Sequence, residues 1–426
     1  MTSVKKEKNN NSSRPRLVFL TQFYDPEPIY KGQEFAEALG NLGYDVEVVT
    51  GFPNYPGGKI YEGFRIRPIQ KSKKNGISIT RLPLYPSHDE NRLGRVLNYC
   101  SFFFSVFVYL SFFARRASLI YVYNPPLTVG LAAATSRIFR KIPVVIDIHD
   151  LWPDTLSASG MISNSFILKL IGAAAQWMYK RVQFIILHTH GFKRKLLELG
   201  VPPQKMQTII GWTKEYPHGQ LSNDITSDLV KLPGLKVLYA GNIGPAQSME
   251  AVINTAYMLQ NSGKSDLVTF CFLGGGVGKD KLIKKTNSMK LENVVFFQRV
   301  SSDEVGAYLA AADVLFLHLR SDPLFEITLP SKIQAYMYAG KPILAAIKGE
   351  GKRLIELADS GISASPEEPD SILQAINSFL KMTEEDRRAM GERGYNFYKQ
   401  ELSMEKGIKE FHDIFSKLIN VSEEQS

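Results

Sequence analysis

The feature that most constrains the fold is an alternation between short apolar runs and segments with helical periodicity. Residues 16–21 form an apolar run, residues 32–42 carry apolar side chains at helical spacing, and residues 45–50 are apolar again. Two parallel strands of one sheet need a crossover connection, usually a helix, so this order predicts a parallel sheet covered by helices. Further strands are predicted at 77–81, 119–123, 144–148, 184–188, 236–240, 268–273, 294–297, 314–317 and 342–346.

A segment with several prolines and glycines, residues 211–235, interrupts the alternation and predicts a domain boundary. We therefore expect an α/β protein with two tandem Rossmann-like, doubly wound domains that face each other across a cleft. The predicted division is a disordered tail at 1–15, a first domain at 16–212, a second domain at 213–390, a charged helix at 391–418 that could cross back to the first domain, and a tail at 419–426. Ligands of open α/β sheets bind beyond the carboxyl ends of the strands, so the cleft would hold two substrates.

The chain is basic, and its positive charge is concentrated near the beginning. The 426 residues carry a net charge of +9, and residues 1–120 hold 17 lysines and arginines against 10 acidic residues. Such a surface suits an anionic partner, and we expect a phosphorylated substrate and an anionic membrane surface rather than nucleic acid. A merely soluble basic surface is the alternative. The two cysteines, Cys100 and Cys271, stand apart, so no zinc site or redox pair is predicted and a reducing compartment is expected.

Residues 96–114 form a strongly apolar and aromatic segment with arginines on both sides. Three interpretations stay open: a membrane span, a helix buried in the domain core, and a helix that lies in the membrane interface. We favour the interfacial helix, with aromatic rings at headgroup depth and arginines on lipid phosphates. Because the first residues lack the apolar core of a signal peptide, we expect a cytoplasmic protein bound peripherally to the inner face of the cell membrane. The candidate membrane residues are Phe102, Phe103, Phe104, Phe107, Arg115 and Arg116.

Polar residues follow the strand predicted at 144–148 and would therefore face the cleft. His149 could donate a hydrogen bond to a sugar hydroxyl, while Asp150 and Trp152 would line the cleft beside it. The alternative role for His149 is that of a structural histidine at the end of a strand. Gly32 stands where a helix begins, and a glycine there lets the backbone approach an anion.

Three motifs of the second domain predict a diphosphate site. Glycine-rich turns after its first and second strands would let the backbone approach a ligand, although ordinary loops have similar sequences. A lysine at the start of a helix, Lys332, is electrostatically unfavourable unless an anion lies beside it, because the helix N-terminus carries a partial positive charge. The alternative is a solvated lysine. The candidate residues are Gly241, Asn242, Gly275, Pro330, Ser331 and Lys332.

Taken together, the motifs resemble glycosyltransferase family 4, and within it the WbuB-like branch. The segments that carry the resemblance are PEPIYKG at 26–32, GFPNYPGGKIY at 51–61, DIHDLWPD at 147–154, YAGNIG at 239–244 and PSKIQAYMYAGKPI at 330–343. The resemblance implies the GT-B fold and a retaining hexosyl transfer that needs neither a metal nor a cofactor. It implies a nucleotide-diphosphate sugar donor, with UDP expected, and a polyprenyl-diphosphate-linked saccharide acceptor in bacterial surface polysaccharide biosynthesis (O-antigen, capsule or exopolysaccharide).

The resemblance also implies roles for individual residues. His149 and Lys332 correspond to catalytic positions, and Gly32 corresponds to the glycine beside the diphosphate. Ser331 belongs with Lys332 to the phosphate loop, and Arg299 follows a strand at the place where the base lies.

The sequence departs from the family pattern at two acidic positions. Many members carry two glutamates eight positions apart, but Ile327 and Ala335 stand at those places here. Glu326, one position away, could supply the ribose contact instead. Two alternative functions stay open: a nucleotide-sugar 2-epimerase, which converts the donor alone, and a non-catalytic protein that binds a nucleotide sugar.

Overall fold

A computed structural model of the protein describes residues 14–87, 92–114, 116–158, 162, 164–215 and 226–424. The chain divides into two compact units. Unit 1 contains Met1–Leu187, Leu199–Gln207 and Ile408–Ser426, and unit 2 contains His188–Glu198 and Thr208–Gly407. The chain therefore passes between the units several times, where the sequence predicted a single boundary at 212. The predicted tail at 1–15 lies almost wholly outside the described residues.

Unit 1 is built on a sheet in which parallel pairing dominates. Its strands in the described residues are β1 (Arg16–Leu20), β2 (Asp45–Gly51), β3 (Gln70–Lys74), β4 (Ile77–Leu82), β5 (Leu119–Asn124), β6 (Val144–Ile148), β7 (Phe184–Leu187) and β8 (Met206–Thr208). Their order across the sheet is β3-β4-β2-β1-β5-β6-β7-β8. β1 lies between β2 and β5 and is parallel to both. Because a central parallel strand is covered on both faces, four of its five residues are fully buried, which explains the continuous apolar run.

The two edge strands of this sheet escape the sequence prediction. β3 reads QKSKK and pairs antiparallel with β4. A strand without apolar residues lacks the alternation by which strands are recognised, and lysines on an edge discourage pairing with another chain. β8 is only three residues long.

Six helices lie in the described residues up to Glu198. They are α1 (Gln33–Asn41), α2 (Arg92–Phe112), α3 (Leu127–Ser136), α4 (Asp154–Ala158), α5 (Ser165–Arg181) and α6 (His190–Glu198). α6 belongs to unit 2, although β7 just before it belongs to unit 1. The Thr189 hydroxyl donates to the carbonyl of Ile327 at 2.6 Å, which ties the start of α6 to unit 2.

The apolar segment forms α2, which has one buried face and one exposed face. Phe102, Val106 and Leu110 are fully buried, and the Tyr109 hydroxyl donates to Glu47 Oε1 at 2.5 Å. In the part of the chain that the structure describes, α2 is the one helix long and apolar enough to cross a membrane. Its core contacts make it an integral helix of unit 1.

The candidate membrane residues divide between these two faces. Phe102 is a core residue, so its assignment to the membrane is wrong; helical spacing places it on the face that packs against the sheet. Of the other candidates, Phe104 and Arg116 are exposed, Phe103 and Phe107 are half-buried, and Arg115 lies outside the described residues.

Unit 2 is built on a second parallel sheet. Its strands in the described residues are β9 (Leu235–Ala240), β10 (Val268–Leu273), β11 (Val294–Phe297), β12 (Val314–His318), β13 (Ile343–Ala346) and β14 (Gly361–Ala364). Their order is β11-β10-β9-β12-β13-β14, and all five neighbouring pairs are parallel. Val237, Phe270 and Phe316 point into a core that also takes in side chains of the covering helices.

The helices of the second half of the chain differ from the prediction at the C-terminal end. They are α7 (Ser227–Val230), α8 (Glu250–Asn261), α9 (Lys279–Ser288), α10 (Ser302–Ala311), α11 (Pro323–Ile327), α12 (Lys332–Tyr338), α13 (Gly349–Leu357), α14 (Pro369–Lys381), α15 (Glu384–Phe397) and α16 (Met404–Glu424). The helix predicted at 391–418 is two helices, separated by a π-helical turn at Tyr398–Leu402. The tail predicted at 419–426 is wrong as far as Glu424, because the buried stripe of α16 continues through Phe415 to Ile419.

Candidate active site

Two glycine turns at the carboxyl ends of β9 and β10 build a cavity in unit 2, which we call the glycine-turn cavity. Its volume is about 420 Å³, and its lining comprises residues 240–242, 273–276, 299, 300 and 305. The turns are joined by backbone hydrogen bonds: Gly241 N–H donates to the Leu273 carbonyl at 2.8 Å, and Ile243 N–H donates to the Gly275 carbonyl at 2.7 Å. Gly241, Gly275 and the exposed Arg299, named from the sequence, therefore lie together.

Gly241 is required by its surroundings. Its φ of +140° is rarely adopted by residues with a side chain, and a Cβ there would lie 2.5 Å from Lys332 Cε. The absence of a side chain thus lets the Lys332 ammonium lie against the turn. Asn242 is exposed at the mouth of the turn, and its carbonyl accepts from the Tyr239 hydroxyl at 2.5 Å.

Lys332 carries a partly buried ammonium whose charge is not balanced by a carboxylate of any residue that the structure describes. Its Nζ lies 5.2 Å from the centroid of the Tyr239 ring. Burial lowers the pKa of Lys332, and no acidic residue of the described chain opposes that shift. A desolvated cation without a counter-ion is unfavourable, so the geometry suits an anion at this position.

The loop before Lys332 is held by a buried glutamine. With its amide nitrogen turned toward the loop, Gln334 donates to the carbonyls of Pro330 and Ser331, both at 3.2 Å. Ser331 is exposed, its side chain does not cap α12, and α12 has only seven residues. The sequence suggested that both Lys332 and the start of the helix supply positive charge to the site. We assign that charge to Lys332 alone.

Glu326, Pro330, Ser331 and Lys332 lie outside the lining of the glycine-turn cavity in the described residues, although the Lys332 ammonium lies against Gly241, which belongs to that lining. Glu326 belongs to α11, and its backbone carbonyl packs against Gly349 at the start of α13. Its side chain is half-buried. A ribose contact from Glu326 remains a prediction.

The strand end predicted to carry His149 holds a buried ion pair in unit 1. Lys31 donates to Asp147, and both side chains are about 2% exposed. The Tyr121 hydroxyl donates to the same Asp147 oxygen at 2.7 Å. Burial acts to raise the pKa of Asp147, but the charges of Lys31 and His149 lower it by more, so the pKa lies below its usual value and the carboxyl is ionised. Burial lowers the pKa of Lys31.

His149 is held by this carboxylate. Its Nε2 lies 3.2 Å from Asp147 Oδ2, and its ring meets Tyr123 edge-on with centroids 4.8 Å apart. At this distance the carboxylate and the imidazole face each other as an ion pair, although Nε2 does not meet the geometry of a hydrogen bond.

The neighbours of His149 are less exposed than expected for a substrate surface. Burial raises the pKa of Asp150, with His149 opposing the shift. The indole nitrogen of Trp152 is buried, and no hydrogen-bond partner for it occurs among the described residues. Asp25 Oδ2 accepts from Gln33 N–H at 2.7 Å and occupies the space beside Gly32 where an anion was predicted.

Sequence reasoning missed three charged residues that organise these sites. Lys31 and Asp147 were read only as parts of motifs, because a separation of 116 residues gives no local signal for their pairing. Lys279 donates to the carbonyls of Gly274 and Phe297, both at 2.8 Å, and so fixes one wall of the glycine-turn cavity. No group of three metal-ligating side chains occurs in the described part of the chain.

Family profiles match both halves of the chain. The profile described as a glycosyl transferase 4-like domain matches residues 33–212, and the profile described as glycosyl transferases group 1 matches residues 226–397. The chain is a glycosyltransferase with a glycosyl transferase 4-like first domain and a group 1 second domain. The resemblance read from the sequence motifs is thereby confirmed.

Two curated relatives of this glycosyltransferase carry names from bacterial polysaccharide synthesis or glycosyl transfer. The Escherichia coli protein WcaI, whose name assigns it to colanic acid biosynthesis, is 26% identical over 74% of this chain and 79% of its own. The Pseudomonas aeruginosa protein named as glycosyltransferase WbjE is 23% identical over 70% of this chain and 75% of its own. These relatives do not favour an epimerase or a non-catalytic binding protein.

Solved structures confirm the GT-B fold of the glycosyltransferase. Anabaena HepE in complex with UDP matches with a TM-score of 0.68 over 94% of this chain and 100% of its own, at 15% identity. WaaG, a glycosyltransferase involved in lipopolysaccharide biosynthesis, matches with a TM-score of 0.62 over 94% of this chain and 99% of its own, also at 15% identity. At this identity the likeness concerns the fold alone.

Proposed function

We propose that this glycosyltransferase moves a hexose from a UDP-sugar to a lipid-linked saccharide during bacterial surface polysaccharide synthesis, with retention at the anomeric carbon. The observation that carries the proposal is the Lys332 ammonium, which lies against the turn at Gly241 and has no carboxylate partner within the described ranges of the chain. A diphosphate supplies the missing negative charge. HepE, which has a similar fold, was crystallised in complex with UDP, and this supports the choice of nucleotide.

In this proposal unit 2 binds the donor. The diphosphate meets Lys332 and the backbone of the glycine turns, and Arg299 lies at the wall of the cavity for the base. Asn242 and Ser331 are exposed beside the turn and the loop, where they can contact the donor, and Glu326 contacts the ribose. The cavity volume of about 420 Å³ falls in the range of small-molecule sites.

The chemical step places negative charge on the leaving diphosphate as the glycosidic bond breaks. Lys332 stabilises that charge in the transition state more than in the bound donor, which is the requirement for catalysis. The acceptor hydroxyl attacks on the same face of the sugar, and a phosphate oxygen of the leaving group takes its proton. His149, which lies beside the Asp147 carboxylate, positions the sugar, and Asp150 and Trp152 belong to the acceptor side. Because the lysine supplies positive charge, we expect activity without a divalent metal.

The acceptor side of the proposal rests on an exposed apolar surface of unit 1. Exposed apolar residues occur along α2, in the turn after α3 and near the start of α5: Leu93, Val96, Phe104, Val108, Phe112, Phe113, Ile138, Phe139, Phe166 and Leu170. An aromatic surface of this kind beside exposed arginines such as Arg116 suits the headgroup region of an anionic membrane. We propose peripheral binding there, on the cytoplasmic face, where a polyprenyl-linked acceptor would lie.

Transfer assays with purified protein test the donor and the stereochemistry. UDP-, GDP-, ADP- and dTDP-hexoses are each incubated with extracted polyprenyl-linked saccharides, with and without EDTA, and the anomer of the product is determined by NMR. We expect acceptor-dependent transfer from a UDP-sugar with retention, unchanged by EDTA. An inverted product contradicts retention. Conversion of the donor without acceptor supports an epimerase, and binding without turnover supports a non-catalytic protein.

Vesicle sedimentation tests the membrane surface. Phe104→Ser combined with Phe112→Ser removes two exposed rings and should weaken binding to phosphatidylglycerol vesicles by at least about tenfold, since burial of one such ring contributes about 1.5–3 kcal/mol. The matched control is Val277→Ser combined with Leu357→Ser, which removes exposed apolar groups from unit 2. Equal sedimentation of both double variants contradicts a membrane role for α2.

A further inference from the structure

Unit 1 contains a second cavity that the proposed sugar transfer does not use. We call it the basic cavity; its volume is about 640 Å³, and it is formed by the end of α5, the segment 202–207, the start of β7 and the middle of α16. Phe184, the first residue of β7, pairs with Val145 near the start of the parallel strand β6. His149 follows the carboxyl end of β6, so the basic cavity lies at the amino ends of these strands, opposite the end that carries His149.

The lining of the basic cavity is strongly positive. Its charged residues are Arg137, Lys180, Arg181, Lys205, Lys417 and Asp413. Five cations therefore face one carboxylate, and across the described chain none of the five lies within 4 Å of an acidic side chain. Elsewhere on the same unit, by contrast, the half-buried Arg16 is paired with Glu47. An uncompensated group of cations around a concave surface is the electrostatic pattern of an anion site.

Two of the cations build the floor of the cavity. Arg137 donates to the Arg181 carbonyl at 2.6 Å, and Lys205 Nζ donates to the Lys180 carbonyl at 2.9 Å. These bonds satisfy carbonyls at the end of α5 and hold both cations in place. Burial and, to a smaller extent, repulsion from the neighbouring Arg137 lower the pKa of Lys205 to about 8. A bound anion would relieve that repulsion.

The other three cations make no ion pair among the described residues, and the Arg181 guanidinium lies over the Trp177 ring, 5.5 Å from its centroid. Lys180, Arg181 and Lys417 are exposed, and they come from two elements, α5 and α16, that meet at the cavity. Lysine and arginine side chains converging from separate elements can surround a phosphate group, with arginine able to bind it in bidentate fashion. The volume exceeds that of a single phosphate and leaves room for a diphosphate or for a phosphate ester with its attached group.

We propose that the basic cavity binds a phosphate-bearing ligand, either a soluble diphosphate or the headgroup of an anionic phospholipid. This site is separate from the donor site at Lys332 and does not depend on the proposed sugar transfer. Lysines and arginines bind both sources by the same chemistry, so the experiment distinguishes them by the form in which the phosphate is offered.

The test uses the full chain with the donor site disabled by Lys332→Met. Inorganic pyrophosphate is titrated by calorimetry, and phosphatidylglycerol vesicles are titrated by sedimentation, with pure phosphatidylcholine vesicles as the blank. The variant is Lys180→Gln combined with Lys417→Gln, in which both changed residues are exposed and the floor of the cavity is untouched. The matched control is Lys71→Gln combined with Lys73→Gln, which removes the same charge from the exposed edge strand β3 of the same unit.

We expect the Lys180/Lys417 double variant to bind at least one probe about tenfold or more weakly than the Lys332→Met parent, because it loses two charged contacts to the phosphate, while the β3 control binds within about twofold of the parent. Weakened binding of pyrophosphate identifies a soluble diphosphate ligand, and weakened binding of vesicles alone identifies a lipid headgroup. Equal losses in the variant and the β3 control, or no change with either probe, would overturn the proposal.

Discussion

Replacing Lys332 with methionine should weaken the binding of UDP without harming the fold. Methionine keeps most of the length of the side chain and removes its charge. In the free protein the ammonium is partly desolvated and has no carboxylate partner among the described residues, so its loss should leave the melting temperature unchanged or raise it. With ligand bound, the same ammonium faces a diphosphate. The substitution should therefore weaken UDP binding while it leaves the stability of the free protein unchanged or raises it.

The size of the effect follows from the chemistry of the contact. A hydrogen bond to a charged group contributes about 1.5–3 kcal/mol, which weakens UDP binding by about 10- to 150-fold. At UDP equal to 100 times the wild-type Kd, ligand stabilises the wild type by about 2.7 kcal/mol and the variant by about 0.3–1.4 kcal/mol. For a unit of this size, Tm shifts by about 2–4 °C per kcal/mol. We expect shifts of about 5–11 °C for the wild type and about 1–6 °C for the variant.

Differential scanning fluorimetry with and without UDP measures both quantities at once. The matched control is Lys341→Met, since Lys341 is also partly buried but lies near Asp313, which opposes the lowering of its pKa by burial. A wild-type UDP shift in Lys332→Met, together with a lower Tm of the free protein, would show that Lys332 stabilises the fold and does not hold the diphosphate. The donor assignment would then be wrong.

Two further predictions concern buried charges. Asp147→Asn leaves the Lys31 ammonium without its carboxylate and should lower the free energy of unfolding in urea by about 3–5 kcal/mol, while the double variant with Lys31→Met should recover most of the loss; no recovery would contradict the pairing. His318 is buried, with Nδ1 2.6 Å from the Gln247 carbonyl and Nε2 accepting from Glu367 N–H at 2.9 Å, and burial lowers its pKa. As the pH falls, the histidine of the unfolded chain is protonated at a higher pH than His318 of the folded protein, so the free energy of unfolding should decrease below about pH 6.5. A pH titration of the stability of His318→Asn should lack this decrease.

Much of the fold could be predicted because it rests on local patterns. The apolar runs at 16–21 and 45–50 became β1 and β2, and the glycine turns appeared where the strands of unit 2 end. The edge strand β3 could not be predicted, since QKSKK carries no apolar residue and becomes a strand only by pairing with β4. The tail predicted at 419–426 failed for a related reason: Ile419 is buried only because α16 has a partner surface to cover.

The candidate sites show the same division. Lys332 and Gly241 were identified from separate motifs, but only the structure brings the ammonium against the glycine. The pair of Lys31 and Asp147 could not be read from the sequence, because neither residue has a local pattern that points to the other. The role of Phe102 was misjudged because an apolar helix does not reveal which face meets the sheet until the sheet exists.

The sequence by itself determined the alternation of strands and helices, the positions of the glycine turns and the presence of a lysine at an unfavourable place. These properties follow from periodicity, backbone freedom and charge along a few consecutive residues. Tertiary structure alone decided which charges are paired, which aromatic rings are exposed and which cations surround the basic cavity. Those properties depend on desolvation and distance between residues far apart in the chain, and folding sets both.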